Sequence, residues 1–441
     1  MNLEERFARH LASLGLPRGV ALVAVSGGPD SLALLDLLTK CPAAAGLEFQ
    51  IAHADHGIHP DSAGIAESVR ALAADLGLPV HVARLELGPA ASETRSREAR
   101  YAWLFRLASE VGAGLILTAH HQDDQVETIL MRALKGSGPA GLAGIASRRG
   151  KLVRPLLPFR REELAEHLHQ QGLHAWTDPA NQDPRHQRSW IRTRLLPILR
   201  ERVPDVDQRL LAVGRQAAAE RAAWDALLDR VVDLNFVREP GGVSVAATPL
   251  KGYDSVVLRP LLGALGRRAG IQIGPTRSAR VERLLLEGRS GAVVELGAGC
   301  AAELSFGRVR LFRGPAHPVP WAPLPLKGRT GELMTGGWRF TWRRDIAPDR
   351  LERNQPLSWF EEGSYIVRPW RAGDLLRPLG GTGRRLVVRC MQDARIARSR
   401  RAAWPVLEAD GCIVWVPGVS RSDDRVPAPG TPALRIDAHL A

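Results

Sequence analysis

ALVAVSGGPDS, residues Ala21 to Ser31, holds a change of local structure within eleven positions. An apolar run with β-branched Val23 and Val25 stops at Ser26-Gly27-Gly28, and a helical apolar pattern at Leu32, Leu35 and Leu38 starts just after Asp30 and Ser31. Strand, glycine turn and helix start therefore follow one another directly. Adjacent glycines let the backbone approach a ligand closely, and amides at a helix N-terminus point toward an anion. Ser26 and Ser31 add hydroxyl donors, and Asp30 stands where it can hold a metal ion bound to phosphate. The spacing GxxxxGK[ST] is absent and no lysine lies nearby, so this is not a Walker A loop. The bland alternative is a Gly-Gly turn that merely ends a buried strand.

Working outward, Leu47 to Ala54 reads as a second strand running into Asp55-His56-Gly57, Ser62 to Leu76 as a helix, and Pro79 to Arg84 as a third strand. Glu93 to Glu110 is helical and Leu115 to Ala119 is a fourth strand. Such alternation implies a parallel sheet covered on both faces, with ligands beyond the carboxyl ends of the strands. The polar signals stand at those ends: Ser26 and its neighbours, then Asp55 and His56, then His120 and His121. A further helix opens at Gln122, with Asp123, Asp124 and Glu127 spaced three or four apart so that their carboxylates share a face. That face suits Mg²⁺ on a triphosphate, or simply complements the helix dipole. Zinc would need a second ligand cluster at a suitable spacing, and none follows.

The 441 residues are enough for two to three domains. Four scattered cysteines without a CxxC argue against a disulfide framework or zinc ribbon and point to a reducing cytoplasm. No apolar run is long enough to span a bilayer and the first residues lack a basic-then-apolar pattern, so the chain reads as soluble and unexported, with no membrane partner. The net charge of +13 is carried almost wholly by arginine, whose fork suits phosphate and stacks on bases. Arginine-rich codon usage is the plain alternative. Trp176 to Arg194 begins as a loop and leads into a short helix over Trp190 to Leu199. Asp207 to Leu234 reads as helical, followed by a strand at Val243 to Ala246, helices near Val256 to Arg268 and Arg277 to Leu286, and a small antiparallel sheet from Ala292 to Phe312. Gly314 to Pro325 is proline-rich and reads as a linker. Beyond it, arginines crowd the stretch from Arg368 to Arg401.

SGGPDS at Ser26 to Ser31 resembles the pyrophosphate loop of the N-type ATP pyrophosphatases. ADHGIH at Ala54 to His59, EARY at Glu98 to Tyr101, AHHQDDQVET at Ala119 to Thr128, GSGPAGLAGI at Gly136 to Ile145 and RPLL at Arg154 to Leu157 narrow the resemblance to the tRNA(Ile)-lysidine synthetases. The fold class this implies is α/β: a parallel-sheet PP-loop ATP pyrophosphatase domain over residues 1–203, a mostly helical domain over 204–313, a linker over 314–325 and a small α+β C-terminal domain over 326–441. The implied reaction uses ATP to adenylate the C2 oxygen of the wobble cytidine in a CAU anticodon, and the amine of free L-lysine then displaces AMP.

By that resemblance Ser26, Gly27, Gly28, Pro29, Asp30 and Ser31 bind ATP phosphates, with Asp55 and His56 near the nucleotide and Asp30 and Asp123 on Mg²⁺. Asp30, His120, Asp123, Asp124, Glu127 and Arg192 form the implied catalytic set. Arg100, Asp178, Asn181, Arg188 and Arg192, with Arg368 and Arg371 further on, would engage the tRNA or lysine. Ala180 stands where the family favours a hydroxyl, Ser189 where it favours asparagine, and Ala397 where a proline is common. Family members often pair as homodimers, although no surface stripe here demands it. Two alternatives remain: a cytidine-thiolating relative, which would depend on a CxxC pair that this chain lacks, and a non-catalytic nucleotide- or RNA-binding module, which need not keep both serines, Asp30 and the acidic helix together.

Overall fold

The expected strand before the Gly-Gly turn is β1 (Gly19–Ala24), and its side chains divide between two buried layers. Ala21 and Val23 pack with Phe7, Leu34, Leu35 and Leu38, whereas Leu22 enters the opposite layer with Trp103, Leu104 and Ile116. A strand that is apolar on both faces belongs inside a parallel sheet with helices on either side. These coordinates are a computed structural model, which describes residues 1–55, 62–85, 87–88, 93–173, 176, 187–230, 234–239, 241–316 and 320–440. The readings made for His56, Asp178, Ala180 and Asn181 lie outside the described residues. The chain divides into two compact units, Met1–Ala222 and Ala223–Ala441.

In the first unit α1 (Leu3–Ser13) precedes β1, and α2 (Pro29–Lys40), β2 (Leu47–Asp55), α3 (Ser62–Asp75), β3 (Val80–Arg84), α4 (Glu93–Glu110), β4 (Leu115–Leu117) and α5 (Gln122–Leu134) follow. Next come α6 (Pro139–Leu142), β5 (Arg148–Arg149), β6 (Leu152–Val153) and α7 (Arg161–Gln170). The sheet order is β3-β2-β1-β4-β6-β5, parallel except for the edge strand β5. Strand order reverses between β1 and β4, and a crevice beyond the carboxyl ends opens where it reverses. The turns and helix starts that follow these two strands carry Ser26–Ser31 and His120–Asp124.

The arginine-rich stretch is helical over a longer span than its sequence suggested. It comprises α8 (Gln187–Trp190), a π-helical turn over Ile191–Leu195 and α9 (Leu196–Arg202), with α10 (Val206–Leu228) beyond. The helix expected to reach Leu234 ends at Leu228. Leu228 and Leu234 enter the same core at 6% and 1% exposure. A separation of six residues puts them on different sides of one straight helix, so the chain must turn to bury both.

The second unit opens with β7 (Val237–Glu239), β8 (Gly242–Ala246), α11 (Ala247–Leu250), α12 (Ser255–Arg268), α13 (Pro275–Glu287), β9 (Ala292–Gly297), β10 (Cys300–Ser305) and β11 (Arg308–Arg313). Its antiparallel sheet runs β7-β8-β11-β10-β9, one strand more than the sequence suggested, and α12 and α13 share its core. Further on, two sheets enclose a core that includes Phe340, Tyr365, Val367, Trp415 and Ile436. Two short helices accompany them, Val387–Asp393 and Arg398–Arg401. The end of the proline-rich stretch forms an edge strand, Leu324–Leu326, which suits Pro325 because an edge position needs no amide donor.

A buried polar joint fastens the helix at Arg398–Arg401 to the central sheet. Glu303 of β10 is fully buried and accepts from the Ser399 amide and hydroxyl, while Arg310 Nη1 donates to Ser399 Oγ at 3.1 Å. Glu239 pairs with both Arg310 and Arg400 at 2.8 Å.

Candidate active site at the sheet switch point

The two glycines after β1 do different things. Gly27 has φ +85°, and a Cβ there would lie 2.6 Å from Ile65 Cγ2, so conformation and space both require glycine. Gly28 is the extended N-cap of α2, with Pro29 entering the first turn. The loop braces itself: Ser31 Oγ donates to Gly28 O at 2.9 Å and accepts from the Ser26 amide at 3.1 Å. Ser31 is 4% exposed and its hydroxyl ties the loop together, whereas Ser26 is exposed. The Trp176 amide donates to Gly27 O at 3.1 Å. Behind the loop, buried His53 of β2 bonds the Val25 carbonyl through Nδ1 at 2.8 Å. Because that carbonyl can only accept, Nδ1 carries the proton. Burial holds His53 below its ordinary pKa, so the brace is neutral.

Facing Asp30 across the crevice is the start of α5. His121 is buried at 2% exposure, with Nε2 3.5 Å from Asp30 and 3.7 Å from Asp124, and Nδ1 3.7 Å from Asp123. Burial pulls its pKa down, but the Asp30 hydrogen bond and the charges of Asp124, Asp30 and Asp123 outweigh it and raise the value above normal. Its neighbour His120 goes the other way: burial, helped by Arg97, Arg154 and Arg188, pushes it down to about 3. Two adjacent histidines thus favour opposite protonation states.

Asp124 and Glu127 are gripped by arginines that are remote in sequence. Arg188 donates from Nη2 to Asp124 and from Nε to Glu127, both at 2.7 Å. Arg192 donates to Glu127 from Nε at 2.6 Å and from Nη2 at 3.1 Å. Burial by itself would raise the Asp124 pKa; the charges of His121, Arg188 and His120 and the His121 amide hold it below the usual carboxylate range. Asp123 points elsewhere, accepting from the Arg161 amide at 2.9 Å and lying 3.4 Å from Arg200. The shared acidic face therefore splits: Asp124 and Glu127 meet Arg188 and Arg192, Asp123 turns to the Arg161 amide and Arg200, and the His121 ring lies against both aspartates.

Asp55 is buried at the end of β2. Arg100 lies over the Tyr101 ring at 5.8 Å, while Arg97 is the α4 arginine whose charge acts on His120. Arg368, expected to meet RNA, is 7% exposed, and its guanidinium is occupied by Asp374 at 2.9 Å and Glu408 at 2.6 Å. These pairs make Arg368 part of the framework of its sheet. Arg371 is exposed. The expected site set left out His53 and Arg97 and carried His121 only as a polar signal at the end of the fourth strand; strand alternation through IAHAD was the local hint for His53. In the segment Gly136–Ile145, Arg132 holds the carbonyls of Gly141 and Gly144, and Gln125 bonds Ile145, so that motif positions α5.

Mg²⁺ takes one or two carboxylates plus phosphate oxygens and keeps several waters. Asp30 and Asp123, each about a quarter exposed, supply carboxylates of that kind; they flank the buried His121 ring at Nε2 and Nδ1 respectively, and Nδ1 has no hydrogen-bond partner. Among the described residues no group of three or more His, Cys, Asp and Glu is arranged to hold a metal by itself. Likewise, among the described residues no helix is long and apolar enough to cross a membrane.

The sequence matches the family models described as PP-loop domain over residues 2–199 and TilS substrate C-terminal domain over residues 366–438. It is 32% identical to the tRNA(Ile)-lysidine synthase of Symbiobacterium thermophilum, covering 98% of this chain and 96% of the relative. Against the protein of the same name from Alkalilimnicola ehrlichii it is 40% identical over 72% of each chain. The Thermus thermophilus protein of that name is 34% identical over 91% of this chain and 69% of its own length.

Proposed function

The chain belongs to the tRNA(Ile)-lysidine synthases, and from that membership we infer that it is an ATP-dependent ligase making lysidine in an isoleucine tRNA with a CAU anticodon. The C2 oxygen of the wobble cytidine attacks the α-phosphate of ATP and expels pyrophosphate. The uncharged amine of free L-lysine then forms a bond to C2, the C2–O bond breaks with its electron pair leaving on AMP, and the amine gives up a proton. The observation that carries this reading is that Asp30 of the phosphate loop and Asp124 of α5 both reach Nε2 of His121.

The roles follow from the chemistry of each group. The first-turn amides of α2 and the exposed Ser26 receive phosphate oxygens. Asp30 and Asp123 would hold Mg²⁺, which when bound neutralises charge on the phosphates. Asp124, kept ionised, attracts the lysine ammonium, while Glu127 fixes Arg188 and Arg192 beside it. His120 is held neutral and, with a pKa of about 3, adds no charge beside the reacting amine; it serves as a hydrogen-bonding group. Residues 1–203 would carry the chemistry, with 204–313 and 326–441, joined through 314–325, contributing RNA contacts. Pairing of two chains is proposed from family habit, and light scattering reads it. The scattered, unpaired cysteines favour a reducing cytoplasm.

The direct test is incorporation of labelled lysine into a CAU-anticodon isoleucine tRNA transcript with ATP and Mg²⁺, following AMP in parallel. Lysine is expected in that transcript and not in one lacking the wobble cytidine. AMP release without lysine transfer would refute the proposed nucleophile.

A further inference from the structure

The helical segment from Gln187 to Arg202 has two cationic faces, and the reaction uses only one of them. Arg188, Arg192 and Arg200 turn toward the carboxylates of Asp124, Glu127 and Asp123. Ser189, Ile191 and Leu196 are buried. A π-helical turn over Ile191–Leu195 changes the winding between the two α-helical pieces. On the other side Trp190 is 41% and Ile198 59% exposed, and the Arg194 and Arg202 side chains are exposed as well. Among the described residues neither of these two arginines has an acidic partner.

We propose that Trp190, Arg194, Ile198 and Arg202 form a second contact surface for the anticodon arm of the tRNA. This rests on the lysidine reading above and adds to it a surface outside the reacting centre. Unpaired guanidinium groups beside an exposed indole suit an RNA strand, whose phosphates take the arginine forks while an unstacked base lies on the ring. A protein partner is less well matched, because cores of protein interfaces are depleted of unpaired charge. A helix is only about 10 Å across, so a strand whose wobble base reaches Asp124 on the inner face has neighbouring nucleotides within reach of the outer face.

The test measures binding of a CAU-anticodon isoleucine tRNA transcript to the full chain at several salt concentrations, together with lysidine formation. Arg194→Gln/Arg202→Gln should weaken binding about tenfold and lower the slope of log K against log salt by about 1 to 2. Trp190→Ala should weaken binding about tenfold with little change in that slope, and Trp190→Phe should recover most of the loss. In every variant KM for tRNA rises and kcat at saturating tRNA stays at the parental value. Variants that bind as the parent does overturn the surface while leaving the lysidine reading intact. A fall in kcat at unchanged KM also overturns it, because the face would then act through the site. If the parent itself neither binds nor modifies the transcript, both readings fall.

Discussion

Replacing Glu127 by Gln keeps its shape and removes the charge that two guanidinium groups share. Glu127 is 2% exposed and receives hydrogen bonds of 2.7, 2.6 and 3.1 Å from Arg188 and Arg192. Removing one partner of a buried ion pair costs about 3–5 kcal/mol. Here the arginines keep about a quarter of their surface, and Arg188 retains Asp124 at 2.7 Å. The expected loss is therefore lower, about 2–3 kcal/mol. For a unit the size of Met1–Ala222 that lowers Tm by about 4–12 °C. Thermal melting of the full chain followed by circular dichroism measures it. Arg192→Gln provides the second arm of a cycle, and the double variant should lose less than the sum of the two by at least about 1 kcal/mol. A Glu127→Gln protein melting within about 1 °C of the parent, or strictly additive single losses, would refute the clamp.

Gly27→Ala must adopt a left-handed backbone and push Ile65 aside, so ATP-dependent AMP release should fall sharply; Gly28→Ala, with ordinary backbone and a nearest contact at 3.4 Å, should retain far more activity. Arg368→Ala should lower the melting temperature because it strands Asp374 and Glu408, while Arg371→Ala should leave melting unchanged and weaken tRNA binding at low salt. Acid should expose His120. Its folded pKa of about 3 lies below the unfolded value of about 6.5, so the unfolded chain alone takes up this proton as pH drops between the two. Stability from this group is complete above pH 6.5 and is lost on acidification at about 1.4 kcal/mol per pH unit. Melting curves of His120→Gln should accordingly be flatter than the parent's between pH 6 and 4, and parallel curves would remove His120 as the cause.

Local chemistry made the first half of the fold legible. A β-branched run, two glycines and a 3.6-residue apolar period lie within Ala21–Leu38, and each reports on its own neighbourhood. The same locality let the carboxyl ends of the strands be found, and with them Asp30, His120 and the start of α5. What stayed hidden was pairing at a distance. Arg188 and Glu127 are 61 residues apart, and nothing near either names the other. His121 looked like the second half of a His-His pair, and its position among three carboxylates depends on α2 and α5 meeting across the sheet. Arg368 reads like the exposed arginines around it because burial between Asp374 and Glu408 arises from strand pairing. The end of α10 was misplaced for a related reason: Leu234 continues an apolar rhythm, yet the core it enters requires a turn first.

The joint between Glu303, Arg310 and Ser399 has a consequence for chimeric proteins. A C-terminal segment transplanted from a relative would bring its own residue to position 399, and without a hydroxyl there a fully buried carboxylate would lose its short-range donor. Graft compatibility should thus be governed by a few matched polar positions across the seam, Glu239, Glu303 and Arg310 on one side and Ser399 and Arg400 on the other, more than by overall similarity of the exchanged part. A successful exchange would carry both sides of the seam together, so the natural cut for recombination lies upstream of β7 and not in the proline-rich stretch that looks like a boundary in the sequence.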